Sequence, residues 1–237
     1  MYSEWIRLTV RKANKSICIM DTDSLLFSFR LDCPPRWVID RFDKQFDLYF
    51  PRKVVEEYKD NFRKGRLKGY DSVKADIDLF LDRKMKIGRV VDEKVYSVCL
   101  KYLKRWFSLI GKQKEYYSLG EGEKHCVALG LYMSRRHKEC LIVMTDDFRA
   151  RNAGIDLFIC RQRTGMISSL LTGMLFIYFI NTDISGIHMR GLVNDYFNLN
   201  PPSSPNVLTF KHKILEDIKF SCREQYFHEC GLSCLTS

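Results

Sequence analysis

With 237 residues, 46% apolar and 13% aromatic, the chain suffices for one large domain or a domain plus an appendage around a sizeable core. Its formal net charge of +10 fits a solvated basic surface, or one that draws in a polyanion. Nine cysteines scatter through predicted strands and helices, and the charged N-terminus MYSEWIRLTVRKANK lacks an apolar signal core, which argues against a disulfide-framed secreted scaffold and for a cytoplasmic protein with reduced thiols.

Ser16 to Met20 (SICIM) is a short apolar run ending at Asp21, which predicts a buried first strand. After Pro34-Pro35, RWVIDRFDKQF repeats apolar residues at helical spacing. DLYF gives a second strand, and Pro51 opens a helix that carries Val54, Val55 and Tyr58 toward the core. NFRKGRLKGY reads as a flexible basic loop, with Arg63, Lys64, Arg66 and Lys68 set among Gly65 and Gly69. VKADIDLFL is helix-like, KIGRVV is a short strand or loop, and DEKVYSVCLKYLKRWFSLI is an amphipathic helix.

Ser118-Leu119-Gly120-Glu121 reads as a capping box ahead of a helix carrying Val127, Leu129, Leu131 and Tyr132. CLIVMT is the clearest strand and stops at Asp146; a short helix, DDFRARNAG, then leads to a strand, IDLFI. Strands alternating with helices predict an α/β fold: a parallel sheet covered on both faces. Residues 164–182 carry no charge and approach the length of a membrane span. Their Ser168, Ser169, Thr172 and Gly173, with Asp183 following, favour a buried helix closing the sheet. NPPSSPN looks like a linker to a short C-terminal piece.

Four acidic sites stand next to these signals: Asp21, Glu57, Glu123 and the Asp146-Asp147 pair. A carboxylate ending an apolar strand, or on the first turn of the following helix, sits at the rim where α/β folds place their chemistry. Each also has a plainer explanation. Asp21 or Asp23 can cap the next helix, Glu57 can be solvated, and Glu123 gains from the helix dipole wherever it sits. Glu121 is assigned to the capping box and Glu123 to the site. Carboxylates brought together repel by about 4 kcal/mol per pair at ~4 Å and an effective dielectric of ~20, so a cluster holds a proton or binds a cation.

Taken together, DTDSLL after a strand, PRKVVEEY on a helix, Gly122-Glu123 followed by VALGL, and TDDFRAR after a strand resemble the PIN-domain nucleases, over roughly residues 16–160. The resemblance implies a three-layer α/β/α fold with a central parallel, twisted sheet over residues 1–160, with an insertion at about 61–87. Residues 161–237 would form a mostly helical C-terminal extension packing on it. It implies a metal-dependent endoribonuclease, hydrolysing phosphodiesters of single-stranded or structured RNA with Mg2+ or Mn2+. By position, Asp21, Glu57, Glu123 and Asp147 match the catalytic acids, with Asp21, Glu123, Asp147 and Asp146 holding metal. Asp23 and Thr145 match the small polar positions that steady them. Arg63, Lys64, Arg66 and Lys68, with Arg149 and Arg151, would contact RNA phosphates. The family leaves room for an antitoxin-like inhibitor protein and for a homodimer.

Two other readings compete. A phosphatase of the haloacid dehalogenase type would use Asp21 as nucleophile and Asp23 as acid/base, but it needs a strand-end Ser or Thr and a Lys that the sequence does not supply. A PIN-like module could instead bind RNA or protein without cleaving, against which all four acidic positions are filled. In the tail, Cys222, His228, Cys230 and Cys234 lie close together, but their spacing does not match the common zinc-binding pairs.

Overall fold

The computed structural model describes residues 15–33, 36–146, 153–180, 184–199 and Leu215. Strand β1 (Ser16–Met20) leads through Asp21 into α1 (Thr22–Arg30). A two-stranded antiparallel ribbon comes next, β2 (Asp32–Cys33) with β3 (Arg36–Trp37), and then α2 (Val38–Gln45) and β4 (Phe46–Pro51). Helix α3 (Arg52–Arg63), a 3-10 turn (Asp71–Val73) and α4 (Lys74–Lys86) precede the short β5 (Val90–Val91). The chain continues with α5 (Glu93–Leu109), α6 (Gln113–Ser118), α7 (Glu121–His137) and β6 (Leu141–Met144). Its last described elements are α8 (Ala153–Gln162), β7 (Gly165–Ser168), α9 (Leu170–Ile180) and α10 (Gly186–Leu199).

The sheet runs β5-β4-β1-β6-β7, and every neighbouring pair is parallel. Parallel strands need crossover segments, and those segments cover the faces. Successive residues of β6 show both covers. A side-chain carbon at Gly130 of α7 would stand 3.1 Å from Val143, and one at Gly173 of α9 would stand 2.8 Å from Met144. Neighbouring strand residues point to opposite faces, so α7 and α9 lie on opposite sides of the sheet. The result is a three-layer α/β/α fold with a central parallel sheet.

Two local expectations change. Residues 155–159 are not a strand but part of α8. Ile155, Phe158 and Ile159 are buried while Leu157 and Cys160 are exposed, which is helical spacing. The parallel step from β6 to its neighbour requires such a crossover. The edge strand is instead Gly165–Ser168, paired Leu141↔Gly165 through Met144↔Ser168. The sheet therefore extends beyond residue 160, and the segment from Gly165 onward is in part core rather than a helical extension. The described part of the uncharged stretch, 164–180, falls mainly into β7 and α9, and among the described residues no helix is long and apolar enough to cross a membrane.

Gly165 makes this edge possible. Its φ is +149°, and a side-chain carbon there would lie 1.8 Å from the Leu141 carbonyl oxygen. Because that neighbour is backbone in a central strand, it has no room to give. Gly165→Ala is expected to destabilise the protein by about 3 kcal/mol or more, beyond the ordinary range for surface changes. Urea denaturation checks it; an unchanged midpoint would count against this pairing.

Candidate active site

The strand order reverses between β1 and β6: from β1 the chain builds outward through β4 and β5, then returns to add β6 and β7 on the other side. In open parallel sheets the crevice outside the carboxyl ends of the strands at such a switch point is where ligands bind. Asp21 and Thr145 occupy it. The last β1–β6 register pair is Met20↔Met144, so Asp21 and Thr145 are the next residues out, and the Asp21 N–H donates to the Met144 carbonyl at 3.0 Å. The β1–β4 register pairs Ile19↔Tyr49, which brings α3 to the same rim.

Asp21 is only 4% exposed. Its side chain accepts from the Ser24 N–H at 2.8 Å, which makes it the N-cap of α1, and Thr145 donates a second hydrogen bond to it. Burial pushes its carboxyl well above the usual carboxylate range, and the charges of Asp23 and then Asp146 push the same way. The Thr145 and Ser24 hydrogen bonds pull back without reversing the direction. Capping and site are thus not alternatives for Asp21, because one oxygen serves the helix while the carboxyl faces other acids. Asp23 is exposed on the first turn of α1 and acts on Asp21 through its charge.

Glu57 is half-buried on α3 and accepts from the Thr22 hydroxyl at 3.0 Å. Helix α7 closes on this pair. A side-chain carbon at Gly122 would stand 2.6 Å from Glu57 Oε2 and 3.6 Å from Thr22 Oγ1, so a glycine is what lets the first turn of α7 reach Glu57. The adjacent Glu123 is buried at the same rim. Cys126, one turn on, is fully buried, and its thiol is pushed up by burial and then by the charges of Asp21, Glu123 and Glu57. Three carboxylates from three elements thus act on this one thiol. Gly122→Ala is expected to keep the fold, since only the end of a flexible side chain must yield. It should displace Glu57 and weaken any Mn2+ binding at the rim by about tenfold, on the scale of changes to the groups that orient metal ligands. Unchanged Mn2+ binding in that variant would remove Glu57 from the candidate site.

The capping assignment reverses. Helix α7 begins at Glu121 with Gly120 as N-cap, and it is Glu123 whose side chain reaches back to the Gly120 N–H at 2.7 Å. Ser118 donates to the Glu115 carbonyl, and Glu121 pairs with Lys124 at 2.6 Å. The helix starts later than a box built on Ser118 requires, so the third helical position falls on Glu123. One Glu123 oxygen therefore serves the helix end.

Asp146 is also taken up by the fold. Oδ1 accepts from the Tyr196 hydroxyl at 2.6 Å and the Leu170 N–H at 3.1 Å; Oδ2 accepts from Ser24 at 2.7 Å. Thr145 is buried, with its side chain hydrogen-bonded to Asp21. Asp147, Arg149, Arg151 and the Cys222–Cys234 cluster lie outside the described residues. Of the basic loop, Arg63 and Lys64 both pair with Asp60, at 2.7 and 3.6 Å, and Arg66 and Lys68 are exposed. The loop ends on Tyr70, which lies under Arg30 at 4.9 Å and within reach of the Asp23 charge. Among the described residues no three His, Cys, Asp or Glu side chains are disposed to hold a metal ion together.

No family model, no curated protein and no solved structure matches the chain.

The residues themselves identify the chemistry the rim allows. Its donors are carboxylate and hydroxyl oxygens, the set that suits magnesium or manganese. Asp21, Glu57 and Glu123 bring negative charge together at one strand end. A buried carboxyl raised by burial and acidic neighbours is one that a cation would return to its charged form. Sequence reasoning missed Thr22, Ser24 and Tyr196, and quoted Gly122 without giving it a role. The small polar run after Asp21 could have pointed to the first two; nothing local marks Tyr196.

Proposed function

We propose that this protein is a metal-dependent endoribonuclease whose acidic rim resembles that of the PIN-domain nucleases. The observation that carries the proposal is the convergence of Asp21, Glu57 and Glu123, from the start of α1, from α3 and from α7, at the carboxyl end of β1 and β6. Asp21, Glu57 and Glu123 would have to draw together round a divalent cation to hold it, and Asp147 would be a fourth ligand by the resemblance alone. When bound, the cation supplies Lewis acidity toward a phosphodiester and its hydrolytic water.

The chain's own residues do the rest. Thr145 and the Ser24 N–H orient the Asp21 carboxyl, and Thr22 orients that of Glu57. Burial excludes bulk water from Asp21, which strengthens its interaction with any charge at the rim. The formal charge of +10, with Arg66 and Lys68 exposed, favours approach of a polyanion, and RNA is the polyanion proposed. A phosphatase using only Asp21 and Asp23 gives no role to Glu57 and Glu123.

The test is cleavage of a mixed single-stranded and structured RNA pool by the full chain with Mg2+ or Mn2+, with chelator, and in Asp21→Asn. Cleavage that needs metal and is lost in the variant is expected. Equal cleavage by both proteins would sink the assignment of Asp21. Tight RNA binding without turnover across several metals would instead favour a non-cleaving module.

A further inference from the structure

We infer that Tyr196, on the last described helix, is a positioning residue of the acidic rim: its hydroxyl fixes Asp146, and through Asp146 the strand end that carries Thr145 to Asp21. The ring is buried, edge-on to Phe27 of α1 at 6.2 Å and to Phe197 at 5.4 Å. That packing points the hydroxyl at Asp146 Oδ1, 2.6 Å away and 50 residues earlier in the chain. So short a contact to a carboxylate is charge-assisted and directional.

Asp146 is the hub. Tyr196 holds it from α10, the Leu170 N–H from the first turn of α9 and Ser24 from α1. Thr145, the preceding residue, is pinned by its N–H to the Ser168 carbonyl at 2.9 Å and donates its own hydroxyl to Asp21. A carboxylate held by three elements cannot shift without moving the backbone beside Asp21. Residues beyond 160 are therefore part of how the rim is set, not an appendage to it. A packing role alone would be met by phenylalanine; the hydroxyl and its partner are what need explaining. The assignment rests on the nuclease reading for its catalytic consequence only.

Amide hydrogen exchange on the metal-free full chain tests the positioning itself. Tyr196→Phe is expected to speed exchange at Thr145, Asp21 and Ser24 by about tenfold, as expected for loss of a hydrogen bond to a charged group. Ser24→Ala, which removes the opposite hydrogen bond on Asp146, should speed exchange at Thr145 and Asp21 likewise. Phe197→Leu loosens the same helix but leaves the hydroxyl, and should speed exchange within 186–199 alone. Unchanged exchange at Thr145 and Asp21 in Tyr196→Phe overturns the assignment, and so does equal acceleration by Phe197→Leu. In a parallel arm, Mn2+ binding followed by electron paramagnetic resonance should weaken about tenfold in Tyr196→Phe and not in Phe197→Leu. Wild type that binds Mn2+ no better than Asp21→Asn would overturn the metal reading, while the exchange data still decide the role of Tyr196.

Discussion

Asp21→Asn is expected to cut the proposed metal-dependent RNA cleavage about a hundredfold or more and, in the same protein, to raise the melting temperature without metal. The two effects have one cause. Asp21 is buried, and its carboxyl is raised by burial and by the charges of Asp23 and Asp146. Its charged form is therefore unfavourable in the folded protein until a cation joins it. Asparagine removes that charge and still caps α1, because Asn and Asp are equivalent N-caps for the Ser24 N–H. Relief of such strained functional groups commonly yields about 0.5–2 kcal/mol. For a chain of this size that is a rise of roughly 1–8 °C. Cleavage should fall about a hundredfold or more, the rate equivalent of several kcal/mol of lost cation stabilisation.

The sign with pH comes from linkage. Between the unfolded carboxylate pKa, about 3.9, and the raised folded value, the folded protein binds a proton on Asp21 that the unfolded chain has released. Stability of the metal-free protein from this group is greatest below the unfolded value and is lost as pH rises through the folded one. The advantage of Asp21→Asn should therefore grow with pH over that window and vanish in acid, while wild-type Mn2+ affinity rises over the same window. Thermal unfolding of both proteins at several pH values, with and without Mn2+, reads all of this. A variant melting below wild type at neutral pH without metal would contradict the raised carboxyl.

Glu123 should separate into two roles under two substitutions. Its Oε2 accepts from the Gly120 N–H at 2.7 Å, closing the start of α7. Glutamine can make the same contact, so Glu123→Gln should keep the melting temperature within about a degree while losing most of its cleavage. Glu123→Ala should lose cleavage and also about 0.5–2 kcal/mol, the range for a lost helix cap. Denaturation and cleavage assays on the pair distinguish the outcomes. Full activity in Glu123→Gln would reduce this residue to a cap.

The elements of the core were largely legible because parallel strands buried on both faces read as unbroken apolar runs: SICIM, FDLYFP and LIVM are mostly such runs, and each is a strand. The same local logic failed at residues 155–159. Five apolar-rich residues fit a buried strand or a helix equally well, and the need for a crossover between two parallel strands decided for the helix. It failed again at Glu121, because where a helix begins depends on which backbone N–H groups lack partners in the folded chain.

The order and spacing of Asp21, Glu57, Glu123 and Asp146-Asp147 were set by the sequence alone, as was the expectation of an acidic rim on an α/β sheet. Only the tertiary structure decided which acids the fold consumes. Asp146 is spent on Ser24, Leu170 and Tyr196, and Glu123 is shared with the Gly120 N–H. Glu57 is tied to Thr22, the residue after Asp21, and Gly122 lets α7 close on it. A carboxylate's partners come from segments distant in the chain, and no local pattern carries that information. Spacing marks where acids stand at the rim; packing determines which of them the fold's own hydrogen bonds take up.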